Sequence, residues 1–445
     1  MSDKSDLSRT SGEAGPPPEP RQGLSRRTWL AAASGAAAAG LVHTRFHAVD
    51  LLARQAAPGA GGTVQGADVR SAASRALGRL PSELGSRAPG ERPRRLIYRP
   101  AASGGSLSPL QDLDGILTPA DLHFERHHGG IPDLLAEDHE LLVHGMVERP
   151  TVFRMPDLKR FPAASRICFL ECSGNGNGVY RPDPPGELTP QRVDGLLSTS
   201  EWVGVPLSTL LREVGVKPGA SWILAEGGDA ALLARSIPLS KAMDDALVAY
   251  GQNGEALRPE QGYPARLLLP GFEGNSNVKW IRRIEVSDRP TMTREETSKY
   301  TDPLKDGTAR QFSFVMDAKS IITFPAYPYA LPERGWWEIR GLAWSGRGRI
   351  VRVDVSTDGG RSWAAAELQG PVLPTCTVRF RHLWRWNGRE AFLLSRAVDE
   401  SGYVQPTYAQ LVEARGAGTT YHANHLRAWR VASDGQVTYG QGALT

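Results

Sequence analysis

With 445 residues the chain is long enough for two or three domains, and 40% hydrophobic and 22% charged residues make it an ordinary soluble globular sequence. The net charge is only +4, and no basic stripe interleaves with aromatics, which excludes a nucleic-acid partner. Three cysteines, Cys168, Cys172 and Cys376, are too few for a disulfide framework.

In chain order, the first element is an address. Ser25-Arg26-Arg27-Thr28-Trp29-Leu30 precedes an alanine-rich, weakly apolar run ending near Val42. That run is too short to span a membrane, which takes about 20 apolar residues. Paired arginines before a mild hydrophobic segment read as a twin-arginine export signal within residues 1–60, so the expected location is periplasmic. Proteins exported this way cross folded, often with a cofactor already in place. Loss of residues 1–60 would take the net charge from +4 to +2. Residues 61–95, rich in Ala, Gly, Arg and Pro, read as a linker or loosely draped arm.

From 96 to 308 the pattern predicts an α+β domain. Strands are expected over 141–147, 166–172 (buried on both faces), 265–271 and 278–286. A helix is expected in 205–216, where Leu207, Leu210, Leu211 and Val214 recur at helical spacing. From 309 to 440 the texture changes to alternating apolar and polar residues. Val351, Val353 and Val355 read as one strand face, Arg352 and Asp354 as the other, with Asp358-Gly359-Gly360 as a turn. This predicts an immunoglobulin-like β-sandwich, with Cys376 as a small buried residue.

The chemistry concentrates in FLECSGNGNG, residues 169–178, where a strand delivers Cys172 into a glycine-rich loop. Such a loop can cradle a phosphate, make a plain tight turn, or let a large cofactor approach backbone and sulfur together. Four residues of strand put Cys168 and Cys172 about 13 Å apart, too far to bridge. The sequence has no C-x-x-C-H haem attachment site, no P-loop, no G-x-S-x-G elbow and no G-x-G-x-x-G fingerprint. His127 and His128 lack a Cys/His partner motif for zinc. One thiolate candidate at a strand end remains; a soft sulfur suits a soft or high-valent metal, and since a single thiolate holds a metal weakly the other ligands would have to come from an organic cofactor.

ECSGNGNG resembles the cysteine loop of the sulfite oxidase family of molybdenum enzymes. FERHHGGIP (124–132), STSEWVGVPLSTLL (198–211), the long segment 236–271, NVKW (277–280), REETSKYTD (294–302) and SGRGRIVRVDVSTDGGRSW (345–363) continue the likeness in order, over about 96–435. The wording is nearest to the family's sulfane dehydrogenase branch. The resemblance implies a molybdopterin-binding domain followed by a dimerisation sandwich, and molybdenum-molybdopterin as cofactor. It implies oxygen-atom transfer to sulfur with Cys172 as the molybdenum ligand. Arg126, His128, Arg266, Asn277, Val278 and Lys279 would then hold the pterin and its phosphate. Tyr300 would hydrogen-bond at the metal, and Arg415 would face the substrate. Without a haem in this chain, the implied partners are a c-type cytochrome subunit, a sulfur-carrier protein bringing substrate, and a second molybdenum subunit. Asn177, Gln261 and Arg192 stand where the family's sulfite oxidases carry Arg, His and Trp. The loss of anion contacts points away from free sulfite. The alternatives are a sulfite dehydrogenase, a sulfoxide reductase and a cofactor-free binding module.

Overall fold

The computed structural model describes residues 80–180, 185–416 and 421–440, together with Leu77. The export signal lies outside the described residues, as do residues 61–76 of the arm; residues 85–95 form no helix or strand. No described helix is long and apolar enough to cross a membrane.

Strands β1 (Leu96–Arg99), β2 (Gly105–Leu107) and β3 (Glu125–Arg126) make a small antiparallel sheet. β4 (Glu140–Gly145), β5 (Thr151–Arg154), helix α1 (Met155–Arg160) and β6 (Ala164–Glu171) lead to the glycine loop. Helix α2 (Pro190–Asp194) follows, then β7 (Leu197–Pro206), α3 (Leu207–Val214), β8 (Trp222–Gly227), β9 (Ala234–Pro238), α4 (Leu239–Asp244), β10 (Leu247–Gln252), β11 (Glu255–Ala256), β12 (Arg266–Leu268) and β13 (Ile281–Ser287). They build two sheets, ordered β11-β10-β7-β6 with β12 on β10, and β5-β4-β13-β8-β9. Leu207, Leu210, Leu211 and Val214 turn one face of α3 fully into the core, as their spacing predicts. In β6, Phe169 joins one hydrophobic core while Cys168 and Leu170 join another, so this strand is covered on both faces. The strand expected over 278–286 starts later. Trp280 adopts φ +53, a left-handed conformation that breaks the extended chain, and leaves Asn277, Val278 and Lys279 in a loop.

A two-stranded ribbon, β14 (Asp302–Pro303) and β15 (Ala309–Arg310), links to the second half. There β16 (Lys319–Phe324), β17 (Gly335–Trp344), β18 (Ile350–Ser356), β19 (Ala364–Ala365), β20 (Glu367–Gln369), β21 (Val378–Trp386), β22 (Ala391–Asp399), helix α5 (Tyr408–Arg415), β23 (Ala428–Val431) and β24 (Val437–Tyr439) follow. The sheets β16-β17-β21-β20 and β19-β18-β22-β23-β24 form the expected sandwich around one core. The alternation read in β18 fails at one position. Val351 is 54% exposed although Val353 and Val355 are buried, because a bulge between Ile350 and Arg352 shifts the register and buries Ile350 instead. The sandwich core also takes in Leu110, Phe169, Val179, Val193 and Leu197 from the first half. The change of texture near residue 308 therefore separates sheets but not cores.

Candidate active site

β6 pairs with β7 up to Glu171, and Cys172 leaves the sheet at its end. The Cys172 N–H donates to the Leu196 carbonyl at 3.1 Å, and the Asn175 N–H closes a turn on the Cys172 carbonyl at 2.8 Å. The loop's glycines differ in purpose. Gly176 has φ +77, and a Cβ there would lie 2.3 Å from Arg427 Nη2 and 2.7 Å from Asp194 Oδ1. Among the described residues, a Cβ on Gly178 would meet nothing within 4 Å, and one on Gly174 would come no closer than 3.6 Å to any residue beyond its chain neighbours, with Cys172 Sγ at 4.0 Å. Only Gly176 is demanded by packing within the chain. Gly176→Ala is expected to destabilise the protein by about 1–3 kcal/mol and Gly178→Ala by under about 0.5 kcal/mol, read as unfolding midpoints in denaturant.

Cys172 opens into a cavity at the end of β6. Six sequence segments converge on it: β3 and the loop after it with Arg126, His127 and His128; the cysteine loop; the β8–β9 connection with Asp229; the turn before β12 with Gln261, and β12 itself with Arg266; the loop of Asn275, Asn277, Val278 and Lys279; and Tyr300. The cavity lining holds three basic side chains, Arg126, Arg266 and Lys279, and one carboxylate, Asp229. Arg266 is 3% exposed, donates to the Gln261 and Asn277 carbonyls and stacks on Trp202 at 5.0 Å. Lys279 Nζ donates to the carbonyls of Arg126 and Glu260 and to His127 Nδ1 at 2.9 Å. That places the His127 proton on Nε2, which donates to Glu125 at 3.0 Å. Burial, reinforced by Arg266, lowers Lys279 to about 7, and burial lowers Arg266 as well.

At the sulfur end, Tyr300 Oη lies 2.7 Å from His128 Nε2, and its ring packs on Tyr421 with centroids 5.3 Å apart. Burial, then the charge of Arg126, lowers His128 to about 3, so the imidazole is neutral. Burial pushes the Tyr300 hydroxyl up. It also pushes the Cys172 thiol up, opposed by the Arg126 charge and the Gly174 N–H.

The chain matches two family models, the oxidoreductase molybdopterin binding domain over residues 128–295 and the Mo-co oxidoreductase dimerisation domain over residues 310–428. Sulfite oxidase of Gallus gallus is 32% identical over an alignment of 332 residues that covers 69% of this chain and 72% of that protein. The chain belongs to the sulfite oxidase family of molybdenum enzymes. Membership of this family makes it an oxidoreductase that uses the molybdenum cofactor. Nitrate reductase [NADH] of Solanum lycopersicum is 33% identical over 311 residues, but the chain spans only 33% of its length. Among solved structures, the sulfane dehydrogenase SoxCD from Paracoccus pantotrophus superposes with a TM-score of 0.79 at 43% identity, covering 84% of this chain and 97% of that one.

The pocket's own chemistry fits the family's cofactor. Three cations against one carboxylate call for an anion, which a phosphate supplies. Arg266 Nε is a buried donor without a partner among the described residues. His123, a fully buried ring in the wall, has its Nδ1 on the Phe124 carbonyl, leaving Nε2 as an unpartnered acceptor. A pterin with N–H groups and a phosphate can satisfy both, and Cys172 adds a soft sulfur.

The structure thus brings Cys172, Arg126, His128, Arg266, Asn277, Val278, Lys279 and Tyr300 to one cavity. Arg415 is not among its lining residues. Its guanidinium is buried against Asp317 at 2.8 Å and Asp302 at 3.5 Å, which account for its charge. Of the three departures from the family pattern, only Gln261 lines the cavity, where its amide donates to the Phe124 carbonyl at 2.9 Å; Asn177 and Arg192 are exposed. Sequence reading missed His123, Asn275 and Tyr421, which stand outside the cysteine loop and reach the site only through the fold.

Proposed function

We propose that this protein is a SoxC-like molybdenum subunit of a sulfane dehydrogenase. It oxidises sulfane sulfur held on a carrier protein in the periplasm, reached by twin-arginine export, and passes electrons to a SoxD-like c-type cytochrome subunit. The sandwich pairs two molybdenum subunits. What carries the reading is the 43% identity to the SoxCD chain across 97% of its length. Asn177 supports it. The position five residues beyond Cys172, where the family's sulfite oxidases carry an arginine, holds an uncharged amide, so that cation is missing from this chain.

When bound, the cofactor supplies oxygen-atom transfer to sulfur and the matching two-electron change. The residues of this chain bind and aim it. Arg266, Lys279 and Arg126 neutralise its phosphate, and burial beside Trp202 and Trp280 keeps water from competing. Cys172 Sγ, at the close of β6, is the atom that would hold the metal end. Tyr300 Oη, hydrogen-bonded to a neutral His128, holds a proton in the cavity that Cys172 also lines and can donate it where negative charge develops on oxygen.

The second reading is a sulfite dehydrogenase, favoured by the likeness to Gallus gallus sulfite oxidase. Steady-state turnover with a c-type cytochrome as acceptor separates the two. We expect kcat/KM for carrier-bound sulfane to exceed that for free sulfite by about 10²-fold or more, the scale of discrimination set by gaining or losing matched polar contacts. The reverse order overturns the proposal in favour of sulfite.

A further inference from the structure

A fully buried chain of charges runs beneath the Cys172 loop and joins the two halves of the molecule. Glu171, the residue before Cys172, accepts hydrogen bonds from Asn175 Nδ2 at 2.9 Å, Lys319 Nζ at 3.0 Å and Trp344 Nε1 at 2.6 Å. Lys319 Nζ also donates to the Asn175 carbonyl at 3.3 Å and lies 2.6 Å from Asp194 Oδ1. Arg427 closes the chain on Asp194 at 3.2 Å. Glu171, Asn175 and Asp194 belong to the first half, and Lys319, Trp344 and Arg427 to the sandwich.

Two carboxylates and two cations balance, so no net charge is buried. Even balanced, such a chain adds little stability over well-packed apolar residues. What it adds is geometry. The Lys319 ammonium touches the side chain before Cys172 and the backbone carbonyl three residues after it, so both ends of the turn are tied to one atom. The direction of Cys172 Sγ follows from backbone torsions between those two ties. Gly176 fits the same device, since a Cβ there would also stand 3.3 Å from Lys319 Nζ.

We propose that Lys319 is a positioning residue for Cys172, through which the sandwich half sets the aim of the sulfur toward the metal. The inference rests on Cys172 as the molybdenum-side sulfur. Ordered partners that orient a metal ligand typically change metal affinity or activity by about 10- to 100-fold when removed.

The test uses purified holoenzyme of the full chain and Lys319→Met. Hydrogen–deuterium exchange is read across residues 172–177, together with the paramagnetic signal of the molybdenum centre. Exchange in the loop should rise by about tenfold or more, the signal should shift, and kcat should fall by about 10- to 100-fold with KM within about threefold of wild type. Leu158→Ala, a fully buried position in a separate core that contains no residue of the cysteine loop, serves as control. It should lower the unfolding temperature while leaving loop exchange and the signal unchanged. Should Lys319→Met fail to fold, Lys319→Gln decides, because it removes the ammonium while keeping a polar side chain that can still donate one hydrogen bond toward Glu171. Folded holoenzyme of either variant with wild-type exchange and an unshifted signal overturns the proposal. Cys172→Ser is run alongside. If it keeps the wild-type signal, the ligand reading fails on its own, while an exchange change in Lys319→Met still reports the tether.

Discussion

Cys172→Ser should fold like the wild type and lose turnover by at least about 100-fold, the cost of removing a single well-placed group from a working site. The asymmetry comes from what each part of residue 172 does. Its backbone makes the turn, through bonds to Leu196 and Asn175 that a serine keeps. Its side chain is partly buried beside the core that holds Leu170 and Cys168, so exchanging sulfur for oxygen removes little packing. What changes is the donor. A serine oxygen is hard and stays protonated at neutral pH, so it is a poor match for a soft site. Three measurements separate ligand loss from misfolding: the unfolding temperature, molybdenum content, and X-ray absorption at the metal edge. We expect the first within a few degrees of wild type and the third to lack one sulfur. Full activity in the variant, or an absorption spectrum with its sulfur count intact, removes Cys172 from the metal.

How far the site could be read in the sequence depends on where each residue's partners lie. Cys172 announced itself, because a thiol at the end of an apolar strand among glycines has few structural uses. Residues in β3, β12 and the loop before β13 were found through ordered likeness to a family, and the fold does gather them into one cavity. Local periodicity was enough for α3, whose apolar stripe is all in the core. It misplaced Val351 and the start of β13, because a bulge and a left-handed Trp280 change register without changing composition. Arg415 has the opposite problem. Its partners Asp302 and Asp317 are about a hundred residues away in sequence, and nothing near position 415 shows that its charge is already matched. Lys319 was invisible for the same reason. A lysine opening a strand looks solvated until the fold surrounds it with Glu171 and Asp194.

Lys279→Met should weaken retention of the cofactor by about 30-fold or more, since a buried charge facing an anionic group is worth at least about 2 kcal/mol. The same substitution should alter the pH dependence of the cofactor-free chain. Lys279 sits at about 7 in the folded chain, lowered first by burial and then by Arg266 and Arg126, against the opposing pull of Glu125 and Asp229. In the unfolded chain it titrates near its ordinary 10.5. Between these values the unfolded state binds more protons, so stability rises with pH. Below about 7 the lysine is charged in both states, and the cost of burying that charge is complete. Above 10.5 it is neutral in both, and the cost is gone. A methionine has no proton to exchange. The stability of the variant relative to the wild type should therefore be greatest at or below pH 7 and fall as pH rises toward 10.5, by at most about 1.4 kcal/mol per pH unit. Lost hydrogen bonds to the Arg126 and Glu260 carbonyls shift the variant by a pH-independent amount, so the slope is the quantity to compare. Denaturant unfolding of both cofactor-free proteins from pH 6 to 10 measures it. In the loaded enzyme the anion offsets the buried charge, and the wild-type slope should flatten. A slope identical in both cofactor-free proteins means that Lys279 does not carry an uncompensated charge, and the anion-binding role assigned to it falls with that result.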